Sequence, residues 1–359
     1  MASRTDLGCR IPRGHALKPG GDKKLRIHRF GASPWIALAV AASAALAGGC
    51  SSTTGVAVDS ALTQHDKTNI TVAAIPANDL AGLYIAQDDG LFARQGLHVT
   101  IEQIPSSQVV SVQLKGQVDI SAQSYLPYIE AEAAGARFRI LAEASTLKPG
   151  TRTLVVTAAS HITSIAGLAR QKIGVNGTNS IGTLLTSALL QEHGISPARV
   201  EFITDPKGYP AMPGQLQTGS WGAALLAEPY VTIAEQDYGD QELADMDQGA
   251  TENFPMDGYV ATQAWAEKYP KTAAAFVRAI QEGQTIADTE PLVVQAAIGK
   301  SDDLPRQVTA TMAPPGFPTG PVNAQTIQRV AEVMLEFGVL GKQSTAEVDQ
   351  GTLIRSMIS

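Results

Sequence analysis

Cysteine is nearly absent from this chain: among 359 residues there are 2, Cys9 and Cys50. With none after Cys50, the rest of the chain has no disulfide framework, zinc–thiolate cluster or thiol nucleophile to offer. Histidine is sparse as well, 6 residues at positions 15, 28, 65, 98, 161 and 193, with no close pairing suited to a metal ion. No Gly-rich stretch ends in the Gly-Lys-Ser/Thr of a nucleotide-binding loop, so the chain is not an ATP-driven motor. No cofactor and no metal are expected. No Ser-His-Asp order stands out, although a triad assembled in space leaves no sequence signature. Basic charge is short too. Of 27 Lys and Arg, 8 lie in residues 1–49 against two acids, which leaves 19 basic and 32 acidic residues, a net charge of −13, from residue 50 on. That balance excludes nucleic acid as a partner.

Long apolar runs are missing except near the start. There a polar, basic stretch ending "KKLRIHRFGAS" leads into "PWIALAVAASAALAGGC", which ends at Cys50. The run is short and Ala-rich for a membrane span. It resembles a bacterial lipoprotein signal, with Ala47-Gly48-Gly49 in the small-residue positions and Cys50 as the lipidated residue. Leu46 stands one place further back than the usual Leu-x-x-Cys pattern. The plain alternative is an Ala-rich helix that happens to end at a cysteine. The expected parts are a signal peptide over 1–49, a flexible tether over 50–67, and a lipid anchor holding the protein on the extracytoplasmic face of the cell membrane.

From residue 68 short apolar runs alternate with helical patterns, an α/β signature. The first cycle reads "NITVAAI", a helix over 80–92, "HVTIEQI", a helix over 107–115, "VDISA", a helix over 125–134 and "FRILAEA". The second reads "TLVVTA", "KIGVNG", a helix from Ser180, "VEFIT", a helix over 211–218, "AALLA" and a helix from Pro229; after "DGYVAT" the chain is almost wholly helical. The cycles echo one another: "LKGQVDISAQSYLPYIEA" and "LQTGSWGAALLAEPYVTIAE" each carry a Gly, a short apolar strand and a Pro-Tyr opening a helix. Ligands in open parallel sheets sit at the carboxyl ends of strands, so both corners are expected to face one cleft. "KIGVNGTNSIGTLL" adds a strand-to-helix corner whose unpaired helix-start N–H groups suit an anionic or acceptor-rich ligand, or are merely capped.

Several stretches together resemble one family: "AGLYIAQDDGLFARQGLHVTIE", "LKGQVDISA", "SIAGLARQKIGVNGTNSIGTLL", "LLAEPY" and "MDGYVATQAWAEKYPKTAAAFVRAIQEG". They are similar to the ABC-transporter solute-binding proteins for sulfonates, nitrate, taurine and thiamine pyrimidine precursors, over nearly everything after residue 67. The resemblance implies an α/β, two-lobed periplasmic-binding-protein type II fold with a hinge and an interlobe cleft. Lobe 1 would comprise 68–151 and the mostly helical 258–359, and lobe 2 152–257. It implies a monomer that captures a small solute between the lobes and delivers it to an ABC permease driven by a separate ATPase. One departure is Gly222, where the second-lobe copy of the family's Gly-x-x-Asp segment usually has Asp; Asp119 fills the first copy and reads as a structural backbone acceptor.

The residues expected at the cleft are Asn78, Asp79, Gln123, Ser124, Tyr125, Ser145, Thr178, Asn179, Ser180, Glu228 and Tyr230. Amides, hydroxyls and helix-start N–H groups suit a sulfonate, nitrate or similar anion. Asp79 and Glu228 suit instead the donors of a neutral aminopyrimidine. Each has a structural reading beside it: Asp79 as a helix cap, Glu228 as a partner of hinge backbone, the tyrosines as interface packing. Trp221 and Trp265 read as packing residues. Two rival functions stay open, a thiamine-pyrimidine-synthase-like enzyme, whose cysteine-rich segment is lacking here, and a lipid-anchored receptor without transport.

Overall fold

The computed structural model describes residues 67–338 and 350–358. The expected signal peptide, Cys50 and the tether up to residue 66 lie outside the described residues.

The strands are β1 (Asn69–Ala74), β2 (His98–Gln103), β3 (Ile120–Ser124), β4 (Phe138–Thr146), β5 (Arg152–Val156), β6 (Lys172–Gly174), β7 (Glu201–Ile203), β8 (Ala223–Ala227), β9 (Gln241–Asp245) and β10 (Pro255–Thr262). They form two five-stranded sheets, ordered β2-β1-β3-β10-β4 and β7-β6-β8-β5-β9. β1 runs parallel to β2 and β3, and β6 parallel to β7 and β8. The fourth strand of each sheet is antiparallel to both its neighbours. The sheets are therefore topological copies that exchange one strand: β5 arrives from the first sheet and β10 returns from the second.

The helices are α1 (Ala81–Asp88), α2 (Leu91–Arg94), α3 (Ser106–Leu114), α4 (Leu126–Ala133), α5 (Ile181–Glu192), α6 (Met212–Leu216), α7 (Tyr230–Tyr238), α8 (Gln263–Lys268), α9 (Pro270–Thr289), α10 (Pro291–Ser301), α11 (Arg306–Thr309), α12 (Ala324–Glu336) and α13 (Gln350–Ile358). The single helix expected over 80–92 is broken, because Gly90 takes a left-handed φ of 67° between α1 and α2. β9 escaped the apolar pattern: as an edge strand its "QELAD" is half exposed, so no buried face marks it.

One core gathers β1, β3, α1 and α9, with Phe92 stacked on Phe276 at 5.4 Å. A second runs from β4 and β10 through α5 and α12 into the second sheet, and a smaller one lies under α6 and α7. α1 and α9 approach closely because both lack a side chain at the crossing: a Cβ on Gly283 would stand 2.3 Å from the Gly82 carbonyl oxygen. Asp119 ties the foot of the first sheet. Its carboxylate accepts from the Thr71 N–H at 2.9 Å, from Trp265 Nε1 at 2.8 Å and from Lys67 Nζ at 2.5 Å, so Trp265 bonds as well as packs. Trp221 packs over Gly174, where a Cβ would meet its ring at 2.2 Å.

Candidate functional site

Because β5 and β10 are the exchanged strands, each begins where the chain crosses between the sheets, beside the carboxyl ends of the parallel strands. Arg152 opens β5 opposite Ala227 of β8; Asp257 stands near the start of β10 opposite Ser124 of β3 and Ser145 of β4. Asp79 follows β1 in the turn that leads into α1. These three charged groups meet out of solvent, at 1%, 0% and 2% exposure for Arg152, Asp257 and Asp79. Arg152 Nη2 lies 2.9 Å from Asp79 Oδ2 and 3.7 Å from Asp257 Oδ2. The Ser145 hydroxyl is within hydrogen-bonding distance of both acids, 2.9 Å from Asp79 Oδ1 and 3.2 Å from Asp257 Oδ2.

Burial opposes the Arg152 charge, but Asp79, Tyr209 and Asp257 together more than compensate and hold the guanidinium firmly protonated. Burial, reinforced by Asp79, pushes the Asp257 carboxyl well above the usual carboxylate range. Arg152 also lies over the Tyr209 ring, 5.6 Å from its centroid, and Tyr209 stacks on Tyr230 at 6.3 Å. Burial lifts the Tyr209 phenol to about 12.

The site is short of partners. Asn78 Oδ1, Gln123 Nε2, Ser124 Oγ, Tyr125 OH, Arg152 Nε and Nη1, Tyr209 OH and Asp257 Oδ1 are all buried without a hydrogen-bond partner among the described residues. Each such group costs about 1–3 kcal/mol when left unsatisfied, so the cluster is a polar place and not packed core. Beside the cluster is a cavity of about 240 Å³ between Ile75, Pro76 and Gln103 to Ser106 on one side and Asn176 and Lys207 to Pro210 on the other. Two of its wall residues reach the cluster: Ser106 donates to Gln123 Oε1 at 2.7 Å, and Tyr209 covers Arg152.

Asn78, Asp79, Gln123, Ser124, Tyr125 and Ser145 are thus gathered at one seam. Glu228 is buried in the same seam, but its carboxylate is engaged by protein: it accepts from the Thr232 N–H and hydroxyl and from the Ala313 N–H. Its carbonyl accepts from the Asn78 N–H at 3.3 Å. Burial raises its carboxyl to about 7. Tyr230 backs Tyr209 instead of lining the cavity. Thr178 and Asn179 are exposed and line no part of this cavity; the corner's contribution to it is Asn176. Ser180 is buried at the N-cap of α5 without a side-chain cap bond, its hydroxyl turned back onto Asn176 Oδ1 and the Gly177 carbonyl. Sequence reasoning missed Arg152, Asp257 and Tyr209 as site residues, the first two having entered it only as lobe boundaries. A signal existed: a lone Arg opening the apolar "TLVV" and a lone Asp inside "PMDGYV" are charges in strands otherwise built for burial. Among the described residues no cluster of three or more metal-ligating side chains occurs.

A sequence model of the family described as NMT1/THI5 like matches residues 77–292. No curated protein matches the sequence. Several solved structures share the fold. The alkanesulfonate-binding protein SsuA from Xanthomonas axonopodis pv. citri, bound to MOPS, is 16% identical with a TM-score of 0.65, over 77% of this chain and 96% of that one. The sulphonate-binding SsuA from Escherichia coli is 21% identical with a TM-score of 0.63, over 82% and 92%. The nitrate-binding protein NrtA from Synechocystis PCC 6803 is 15% identical with a TM-score of 0.67, over 81% and 86%. The two exchanged sheets are those of the periplasmic-binding-protein fold.

Proposed function

The chain belongs to the NMT1/THI5-like family, and from that premise we propose that it is the solute-binding component of an ABC importer. It captures one small polar solute between two lobes and hands it to a permease powered by a separate ATPase. The lobes are 68–151 with 258–359, and 152–257. The observation that carries this reading is the buried, unpartnered polar cluster at the seam where both strand exchanges occur, since a hinged clamp needs its contacts to become complete only around a guest. Asn78, Asp79, Gln123, Ser124, Tyr125 and Ser145 join Arg152, Tyr209 and Asp257 in contacting the solute. Glu228 and Tyr230 support that wall, and Ser180 shapes the corner carrying Thr178 and Asn179. The mature protein is a monomer lipidated at Cys50 and held on the outer face of the cell membrane; among the described residues no helix is long and apolar enough to cross it.

The unpartnered N–H groups of Arg152 favour an oxyanion of the sulfonate or nitrate type, the ligands named for the structural neighbours. A neutral aminopyrimidine is the second reading, favoured by the two carboxylates beside Arg152. An enzyme of the thiamine-pyrimidine-synthase kind would need its cysteine-rich segment, which is missing. The test is a thermal-shift screen against sulfonates, taurine, nitrate and aminopyrimidines, followed by small-angle scattering with each hit. A stabilising solute that also lowers the radius of gyration supports the clamp; stabilisation at constant radius sinks it.

A further inference from the structure

The charges at the seam do not balance for an anionic guest. Among the described residues Arg152 is the one cation buried there, and it already faces Asp79 at 2.9 Å and Asp257 at 3.7 Å. An oxyanion that takes the free Nε and Nη1 of Arg152 would add a further negative charge to a space closed to solvent. Among the described residues, the groups around the two acids supply no second cation. Tyr125 at the N-cap of α4, Tyr128 within α4, Tyr259 of β10 and Tyr209 are phenols whose burial keeps them neutral. Glu143, which faces Tyr125, and Glu228, reached through Asn78, add only acid. Lys207 lines the cavity but is exposed, on its solvent side. A buried charge without compensation takes up or releases a proton sooner than persist.

Resting on the solute-binding reading above, we infer that this site binds its anion together with a proton, which settles on the Asp79–Asp257 pair bridged by Ser145. The pair is built for it. The Ser145 hydroxyl reaches both carboxylates, so a proton on either acid can be held between them while the anion takes over Arg152. Burial already drives Asp257 toward its neutral form, and Asp79 is the acid that Arg152 faces at 2.9 Å and ceases to face when it turns to the guest. Only protons and charges move: one proton enters with one anion, and both leave together on opening. The site is then selective by charge and by pH at once, and a neutral solute binds with no proton exchange.

Isothermal titration of the full-length purified protein with sodium nitrate and with sodium ethanesulfonate decides the matter. It is run in buffers of different ionisation enthalpy at one pH, then repeated from pH 6 to 8. The expected result is uptake of about one proton per anion, with Kd weakening about tenfold per pH unit across that range. Asp79→Asn, which neutralises the acid without changing its size, should bring the uptake per bound anion near zero and flatten the pH dependence of Kd, whatever the change in affinity itself. Asp257→Asn, which fixes in neutral form the acid that burial already neutralises, should keep the uptake, and its loss there would overturn the assignment. Asp79→Ser is the parallel variant should Asp79→Asn not fold. Anion binding by the wild-type protein without proton exchange overturns the inference. So does binding of neutral 4-aminopyrimidine when neither anion binds, an outcome that leaves the solute-binding reading standing. Failure of all three probes to bind overturns both.

Discussion

Two sheets with one strand order carry different chemistry at matching places. At the foot of β3 the Asp119 carboxylate gathers Thr71, Trp265 and Lys67; at the foot of β8 the matching residue is Gly222, and the space its Cβ would take holds the Gln171 side chain, with Oε1 2.6 Å away. The backbone bond is the same in both, Asp119 N–H to Thr71 O at 3.0 Å and Gly222 N–H to Lys172 O at 2.8 Å. At the upper ends the contrast grows. Leu126 and Pro127 start α4 with an apolar side chain, whereas Glu228 and Pro229 lead into α7 with a buried acid that also binds Ala313. The first sheet brings two carboxylates to the seam and the second brings the guanidinium and the tyrosine stack. Repeated topology conserves the backbone ladder, while side chains answer to whatever lies across the cleft, so the two halves became complementary.

Removing the one compensating cation should break the comparison most severely. Arg152→Ala leaves two acids buried against each other and should lower stability to urea by about 3–5 kcal/mol. Arg152→Lys should retain part of it, and full stability in Arg152→Ala would show that the acids are already neutral without the cation. Next come two glycines that admit an aromatic ring. A Cβ on Gly258 would stand 2.3 Å from the fully buried Tyr125 ring, and one on Gly174 would stand 2.2 Å from the half-buried Trp221. Gly258→Ala should cost up to about 3 kcal/mol, and Gly174→Ala less than half as much because Trp221 can shift toward solvent. Equal costs in denaturant titration would mean that both sites yield alike.

Glu228 sets a pH dependence that Leu126 cannot. Its carboxyl sits near 7 in the folded chain against an ordinary value of 4.5, so the folded form keeps a proton that the unfolded form releases between those values. Its contribution to stability is full below about pH 4.5 and is lost as pH rises through about 7. Between pH 5 and 7.5 the wild-type protein should lose about 2 kcal/mol that Glu228→Gln does not lose; parallel urea profiles for the two would rule the assignment out. Asp119→Ala should cost about 1–2 kcal/mol by stranding the Thr71 N–H and Trp265 Nε1, and Gln171→Ala, at the corresponding place, under about 0.5 kcal/mol. Ser180→Ala should cost about 1 kcal/mol for the bonds into its own loop, and, smallest of all, Thr178→Ala, exposed, should leave the melting temperature unchanged.

The alternation of apolar runs with helical patterns located nearly every strand, because a buried strand leaves its burial in the sequence: β8 reads "AALLA" and every residue of it is buried. The corner before α5 was legible as a strand-to-helix turn, yet which of its residues face the cavity was not, since Asn176 and Thr178 differ only in where the loop aims them. Asn78, Asp79 and Ser145 could be chosen because they follow strand ends. Arg152 and Asp257 could not be chosen by that rule, because each stands at or near the start of its strand, and only antiparallel insertion brings those starts to the carboxyl edge.

The sequence by itself determined the local events: the apolar periods, the strand-to-helix corner before α5, the carboxylate at Asp119 and the absence of thiol chemistry. These depend on the residue and its near neighbours, so they can be read in order along the chain. The tertiary structure alone decided the exchange of β5 and β10 between sheets, and with it the meeting of Arg152 with Asp79 and Asp257. A buried charge is tolerable only beside its counter-charge, and that pairing is a condition on distance in space, to which separation along the chain is blind.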